Sequence, residues 1–222
     1  MISTSLSLIK IFTLAKNNHF MKLFVCLFLF LFPTLNYGFK KYEMPYSIVI
    51  AKADLIVDGT ISKVSKNEYE FKISQFVKGK SVSNIKVSIW KEWLCDPRIK
   101  ELKSGQRLIL FLQKTPYGNF APINESTGEI YVDNGVFINI FLPKEFSSPV
   151  VLKKGISMFA ETFNSYGNLN DRFLQNVYFV SNKSIFEVYK MKENNQTFKF
   201  LVDREVGEYK INSTPICFRL NN

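Results

Sequence analysis

One histidine and three cysteines in 222 residues set narrow limits on the chemistry of this chain. His19 and Cys26 stand in an N-terminal segment that reads as a removable leader, described below. Without His19 there is no imidazole to take a proton near neutral pH, so neither a Ser-His-Asp nor a Cys-His arrangement can form. Nor is there an imidazole for zinc. The two remaining thiols, Cys95 and Cys217, are too few for a four-thiolate site. They are candidate disulfide partners in an oxidising compartment. Their bond would close a loop of 122 positions and stabilise by about 2–4 kcal/mol through the unfolded ensemble. Two free buried thiols are the alternative, because spacing along the chain does not fix a Cα separation.

Among the carboxylates, Asp54, Asp58, Glu129 and Asp133 have the oxygen chemistry of a hard-cation site. Their spacing makes no EF-hand, and no two of them form an oriented acid pair of the kind glycoside hydrolysis requires. Each is expected to be a turn residue or a solvated charge. No catalytic residue, metal ligand or cofactor site is assigned.

A different grouping points to recognition. Trp90, Lys91, Trp93 and Arg98, with Tyr42 and Tyr46 nearby in type, place aromatic and basic side chains around one polar loop. Aromatics supply contact area at an interface, and cations orient an acidic partner. A barrel loop can also bury either indole, and Tyr46 is expected to pack in the core. The basic residues Lys72, Lys78, Lys80, Lys86, Lys91 and Arg98 would make a polyanion groove only if they bordered exposed stacking aromatics. Solvated strand faces are the simpler expectation, and nucleic acid is the disfavoured partner.

The leader runs MKLFVCLFLFLFPTLNYGFKK from Met21. A basic start, an apolar stretch from Leu23 to Phe32 and small or polar residues near Gly38 are the marks of a signal peptide, with cleavage expected after Gly38. The apolar stretch is about ten residues, against the roughly 20 a spanning helix needs. Met21 makes a conventional start, which leaves residues 1–20 as an upstream extension. The alternative is a membrane anchor formed by the uncleaved N-terminal segment, with Lys10, Lys16 and Lys22 on the cytoplasmic side. Removing residues 1–38 takes those three lysines and no acid, so the formal charge falls from +10 to +7. That favours solubility and contact with anionic surfaces.

These groups must be positioned by short strands. Pro45 introduces a helix over 46–53, and Leu55, Val57 and Ile61 mark a strand over 54–64 that Gly59 allows to bulge or curve. Tyr69, Phe71 and Ile73 alternate with Glu70 and Lys72 in a strand over 68–77, and Ile85, Val87 and Ile89 repeat the pattern. Leu108 to Leu112 is continuously apolar, which requires cover on both faces or a central place in a closed sheet. Asp133-Asn134-Gly135 joins Glu129–Val132 to Val136–Leu142 as a hairpin. Further on, Leu152, Ile156, Phe159 and Phe163 form a helical face, and Leu169, Phe173 and Val177 a second short one. Phe179, Phe186, Val188, Phe198, Phe200 and Val202 are expected in strands, with a last strand over 216–220.

The runs AKADLIVDGTISKV at 51–64 and YEFKISQFVKGK at 69–80, then IKVSIW at 85–90, Cys95 and LKSGQRLILFL at 102–112, resemble a TIMP-like or netrin-like domain over about residues 54–142. The resemblance implies a Greek-key β-barrel of the oligonucleotide-binding type and extracellular protein interaction, including metalloprotease inhibition. Inhibitors of that family wedge a mature N-terminal Cys onto a protease zinc. Here the expected mature terminus is Phe39, and the family's dense disulfide framework is absent. Fold likeness alone transfers no activity.

The sequence is therefore expected to be mainly β with helices: a leader at 1–38, a TIMP-like barrel at 39–145 and a helix-plus-strand extension at 146–222. The expected function is an exported, nonenzymatic protein-interaction or inhibitor-like module. Its partner would be an extracellular or periplasmic protein, and membrane contact would be transient during export. The alternatives are a carboxylate-dependent extracellular hydrolase and a polyanion-binding protein. Asn124, Asn182, Asn195 and Asn212 head glycan acceptor triplets, which have meaning only with eukaryotic export machinery.

Overall fold

In a computed structural model of the chain, residues 41–206 are described, apart from 140, 141, 172 and 175. Pro45 precedes a helix α1 (Tyr46–Lys52), which leads into five strands: β1 (Leu55–Val64), β2 (Glu68–Lys78), β3 (Asn84–Ser88), β4 (Arg107–Lys114) and β5 (Phe120–Pro122). β1 pairs antiparallel with both β2 and β4, β2 with β3, and β4 with β5. The ring closes where β3 meets β5 in parallel at the single pair Val87↔Phe120. The order around the barrel is thus β1-β2-β3-β5-β4 and back to β1. After a 3-10 turn at Glu125–Gly128, β6 (Glu129–Asp133) takes the rest of β4's free edge and turns into β7 (Val136–Phe137).

Alternation explains the burial. In β2, Tyr69, Phe71 and Ile73 are buried while Glu70 and Lys72 are exposed. Along the apolar run of β4, Leu108, Leu110 and Leu112 join Leu55, Val57, Tyr69, Phe71 and Val87 in one buried cluster inside the barrel. Ile109 and Phe111 point the other way, into a second cluster with Ile48, Ile50, Ile56, Leu152, Ile156, Phe159 and Phe198. The run is continuous because both of its faces are covered, as expected. Gly59 sits where the β1–β2 register shifts, and a Cβ there would come within 2.2 Å of the Lys72 carbonyl oxygen. Sharp curvature and close strand approach both depend on its missing side chain. At the hairpin, Asn134 and Gly135 take φ of 47° and 79°, the left-handed geometry their types tolerate.

Beyond the barrel the chain is mostly helical, with one short pair of strands. Ser148 Oγ accepts from Val151 N at the start of α2 (Pro149–Thr162), and Leu152, Ile156 and Phe159 bury its inner face. The short strands β8 (Phe163–Tyr166) and β9 (Tyr178–Ser181) pair antiparallel. α3 (Ile185–Asn194), α4 (Gln196–Phe200) and a π-helical turn at Leu201–Val206 follow.

Several expectations are corrected. The second helical face through Leu169, Phe173 and Val177 is a series of turns with Phe173 exposed. Asn168 and Asp171 side chains accept from the backbone N–H two residues on, and Leu174 is left-handed. Such local bonds compete with helix formation. Of the residues expected in strands, Phe179 lies in β9, whereas Phe186, Val188, Phe198, Phe200 and Val202 are helical. Ser184 and Glu187 form a capping box at α3, and Asn195 Oδ1 accepts from Phe198 N at α4, so the starts are specified by side chains. β7 stops at Phe137, short of the expected Leu142. Against the membrane-anchored alternative stands that no helix among the described residues is long and apolar enough to cross a membrane; the N-terminal segment that it invokes is not among those residues. Residues 1–38, the cleavage position after Gly38, Cys217 and the strand at 216–220 lie outside the described residues.

Candidate interaction site

The connection from β3 to β4 carries all four residues of the aromatic-basic grouping. Trp93 and Asp96 bridge across a tight turn, with Asp96 N donating to Trp93 O at 3.0 Å. At the tip, Leu94 is 96% exposed, with Trp93 at 41% beside it. Lys91 is exposed and Cys95 half-buried.

The base of the loop is held from below. Asp96 is buried and accepts from Ser126 through both its hydroxyl and, at 3.3 Å, its backbone N–H. Trp93 Nε1 donates to Glu125 Oε2 at 3.0 Å. Arg98 turns inward, with 4% of its side chain exposed, and its Nε donates to Glu129 Oε2 at 3.2 Å. Its Nη1 and backbone N donate to the two oxygens of Glu92, at 3.3 and 3.0 Å. The guanidinium carbon lies 4.2 Å from the Trp90 ring centroid, a cation–π stack. From inside the barrel, Tyr69 OH donates to Glu129 Oε1 at 3.1 Å. Trp90 Nε1 and Arg98 Nη2 are buried with no partner at hydrogen-bond geometry.

The electrostatics follow from burial. Glu129, 1% exposed, has its pKa raised because desolvation penalises the carboxylate, although the Arg98 charge and the hydrogen bonds from Arg98 and Tyr69 pull it back down. Burial, and then the Glu129 charge, push Tyr69 well above the usual phenol range and raise Tyr131. For Arg98, burial opposes the charge and Glu129 outweighs it, so the net shift is upward.

A second buried carboxylate lies on β1. Asp58, 1% exposed, receives Arg107 Nε at 2.9 Å and Nη2 at 2.8 Å, and Lys153 Nζ from α2 at 2.5 Å. Burial raises its pKa, but the hydrogen bonds from Arg107 and Lys153 more than reverse this and hold it below the usual carboxylate range. Lys153 also reaches Gln75 Oε1 at 2.6 Å, so the cluster ties α2 to the barrel wall.

The structure thus separates the sequence-derived candidates. Trp90 and Arg98 stack together within the loop base, whereas Lys91 and Trp93 face solvent. Tyr46 packs against Phe111 and Phe146, as expected. Asp58 and Glu129 are buried and paired with cations, which corrects the reading of both as turn or solvated charges. Asp54 and Asp133 remain exposed, Asp54 accepting from Lys114 N at 2.8 Å. The basic residues serve different partners: Lys78 Nζ donates to the Ile50 and Ala51 carbonyls at the end of α1, and Lys86 pairs with Glu68 at 2.8 Å. No group of His, Cys, Asp and Glu suited to a metal ion occurs among the described residues. Cys95 makes no disulfide among them.

Sequence reasoning missed Leu94 as the tip and Glu129 as the anchor. The available signal for Glu129 was its alternation with Tyr131, which places both on one face of a strand beside β4. No protein-family model matches the sequence, and none of the curated proteins compared with it matches either.

Proposed function

We propose that the chain is a nonenzymatic protein-interaction module whose recognition element is the loop tip at Lys91–Cys95. One observation carries this reading: a solvent-exposed apolar tip, Trp93 and Leu94, stands on a base fixed by the buried Arg98–Glu129 pair and by hydrogen bonds to Glu125 and Ser126. A tip ordered before binding loses little conformational entropy on association, so more of its apolar contact shows as affinity. Leu94 offers a side chain for a partner's pocket and Trp93 a broad amphipathic surface next to it. Lys91 steers toward an acidic partner.

The strand order of the barrel, with β3 and β5 parallel at the closure, supports the finer fold reading of an oligonucleotide-binding-type barrel of the TIMP-like kind. The pairing of Asp58 and Glu129 with cations favours a binding role over a carboxylate hydrolase, since each acid already serves a structural partner. The test uses the full chain as bait in extracts of its native source. W93A/L94A is expected to lower recovery of a given partner at least tenfold, while V150A, at an exposed apolar site on α2, leaves it unchanged. Equal recovery with both variants would reject the proposed role of the tip.

A further inference from the structure

The barrel closes at one residue pair, and among the described residues no strand lies beside the edge of β3 on the N-terminal side of that pair. The hydrogen bonds that bracket the β2–β3 ladder, Ile73 N to Ser83 O at 2.7 Å and Ile89 N to Asn67 O at 2.9 Å, fix its parity. In an antiparallel ladder, residues exchange bonds with the partner at every second position. The register Tyr69↔Val87 and Phe71↔Ile85 therefore directs the backbone of odd-numbered β3 residues toward β2. Asn84, Lys86 and Ser88 direct theirs to the opposite edge. β5 begins there only at Phe120, opposite Val87. Just before it the chain turns away, since Gly118 N donates back to Thr115 O at 3.1 Å.

What fills the place of the absent strand is a cleft of about 510 Å³, lined by Val82, Lys86, Lys114, Tyr117 and Phe120 among others. Tyr117 is 93% and Val82 69% exposed. Lys86 is shared with Glu68, and Lys114 has no ion pair among the described residues. Exposed edges of this kind recruit an extended chain through main-chain bonds, with specificity supplied by the side chains of alternate residues.

We propose that this cleft receives an extended acidic peptide segment of a partner protein, which adds as a strand to the Asn84–Lys86 edge of β3. The added backbone would bond to the N–H and C=O of Asn84 and to the N–H of Lys86, its carboxylates would meet Lys114 and Lys86, and its apolar side chains would lie on Tyr117 and Val82. The proposal rests on the protein-interaction reading and places a second contact on a different part of the barrel from the 91–95 tip.

The test is an amide NMR titration of the full chain with acetyl-(Val-Glu)3-amide and with acetyl-(Val-Lys)3-amide. The acidic peptide is expected to shift the Asn84 and Lys86 amides and to bind at least tenfold more tightly than the lysine peptide. K114E should abolish that preference, and methylating alternate backbone nitrogens of the acidic peptide should remove binding. W93A/L94A should leave this titration unchanged, so failure of the tip and failure of the edge are read separately. The proposal is overturned by no shift at Asn84 and Lys86, by equal binding of the two peptides, or by binding that survives backbone methylation. Shifts of the same amides that grow with protein concentration alone would overturn it in favour of a second copy of this chain.

Discussion

Arg98→Met tests the loop base directly. It removes the cation from Glu129 while keeping an apolar stem over Trp90. Breaking a buried pair by deleting one partner typically costs about 3–5 kcal/mol, because the remaining charge is left uncompensated. Both side chains here are at most 4% exposed, so little of that cost is relieved by solvent. With a urea m-value of about 2 kcal/mol/M, the unfolding midpoint should fall by roughly 1.5–2.5 M. The assay is urea denaturation followed by tryptophan fluorescence, for which the chain's two tryptophans, Trp90 and Trp93, both lie in this loop. R98M/E129L, which removes both charges, should recover most of the loss. The sign of the pH effect is also fixed. Burial raises the folded-state pKa of Glu129 and Arg98 opposes that rise, so R98M leaves it higher still. A carboxyl raised on folding contributes stability below its unfolded pKa and loses it as pH climbs through the folded value. R98M should therefore gain stability as pH falls from neutral toward the ordinary carboxylate range, and R98M/E129Q should not. A loss below about 1 kcal/mol for R98M, or a double variant no more stable than the single, would refute the reasoning.

Three further perturbations probe the rest of the framework. Asp58→Asn should cost about 2–3 kcal/mol at pH 7 by thermal or urea unfolding, discounted because Arg107 is 41% exposed. Since the Asp58 pKa is lowered, its contribution is present above the unfolded carboxylate pKa and is lost as pH falls through the folded value, so the gap to wild type should close in acid. Gly155→Ala would gain up to about 1 kcal/mol of helix propensity, but its Cβ would come within 2.6 Å of Asn195 Oδ1 and Thr197 Cβ. Calorimetry should show a net loss of about 1–3 kcal/mol, and a raised Tm would count against the close packing of α2 on α4. Asn195→Ala removes the cap of α4 and the bond from Nδ2 to Val151 O at 3.0 Å; about 1–3 kcal/mol should be lost, with faster amide exchange at Phe198.

The barrel was legible because its strands are half-buried and their alternation is written plainly in Tyr69, Phe71 and Ile73. Leu108–Leu112 signalled double cover through the absence of alternation. Phe179 lies in a strand as expected, but beyond it the same reasoning failed, since Phe198, Phe200 and Val202 share a period of two by coincidence. The set that packs, Phe198, Leu201 and Val202, has helical spacing. The Ser184 and Glu187 capping box was the better guide there, because it fixes a helix start by hydrogen bonding rather than by pattern. Strand β5 has only three residues and no periodicity to read, although it closes the ring. In the loop, Trp90, Lys91, Trp93 and Arg98 were singled out by residue type, and all four lie on the connection from β3 to β4. Which of them faces inward depended on Glu129, some thirty positions later, and no local pattern carries that information.

Recognition by the 91–95 tip requires a loop that is rigid before any partner arrives. Backbone 15N relaxation of the free chain measures this residue by residue. Order parameters at Lys91–Arg98 should stand near the rigid value of about 0.85 and match those of β2 and β4, with R98M lowering them below about 0.6. Values below about 0.6 across 91–98 in the unmodified chain would contradict the account.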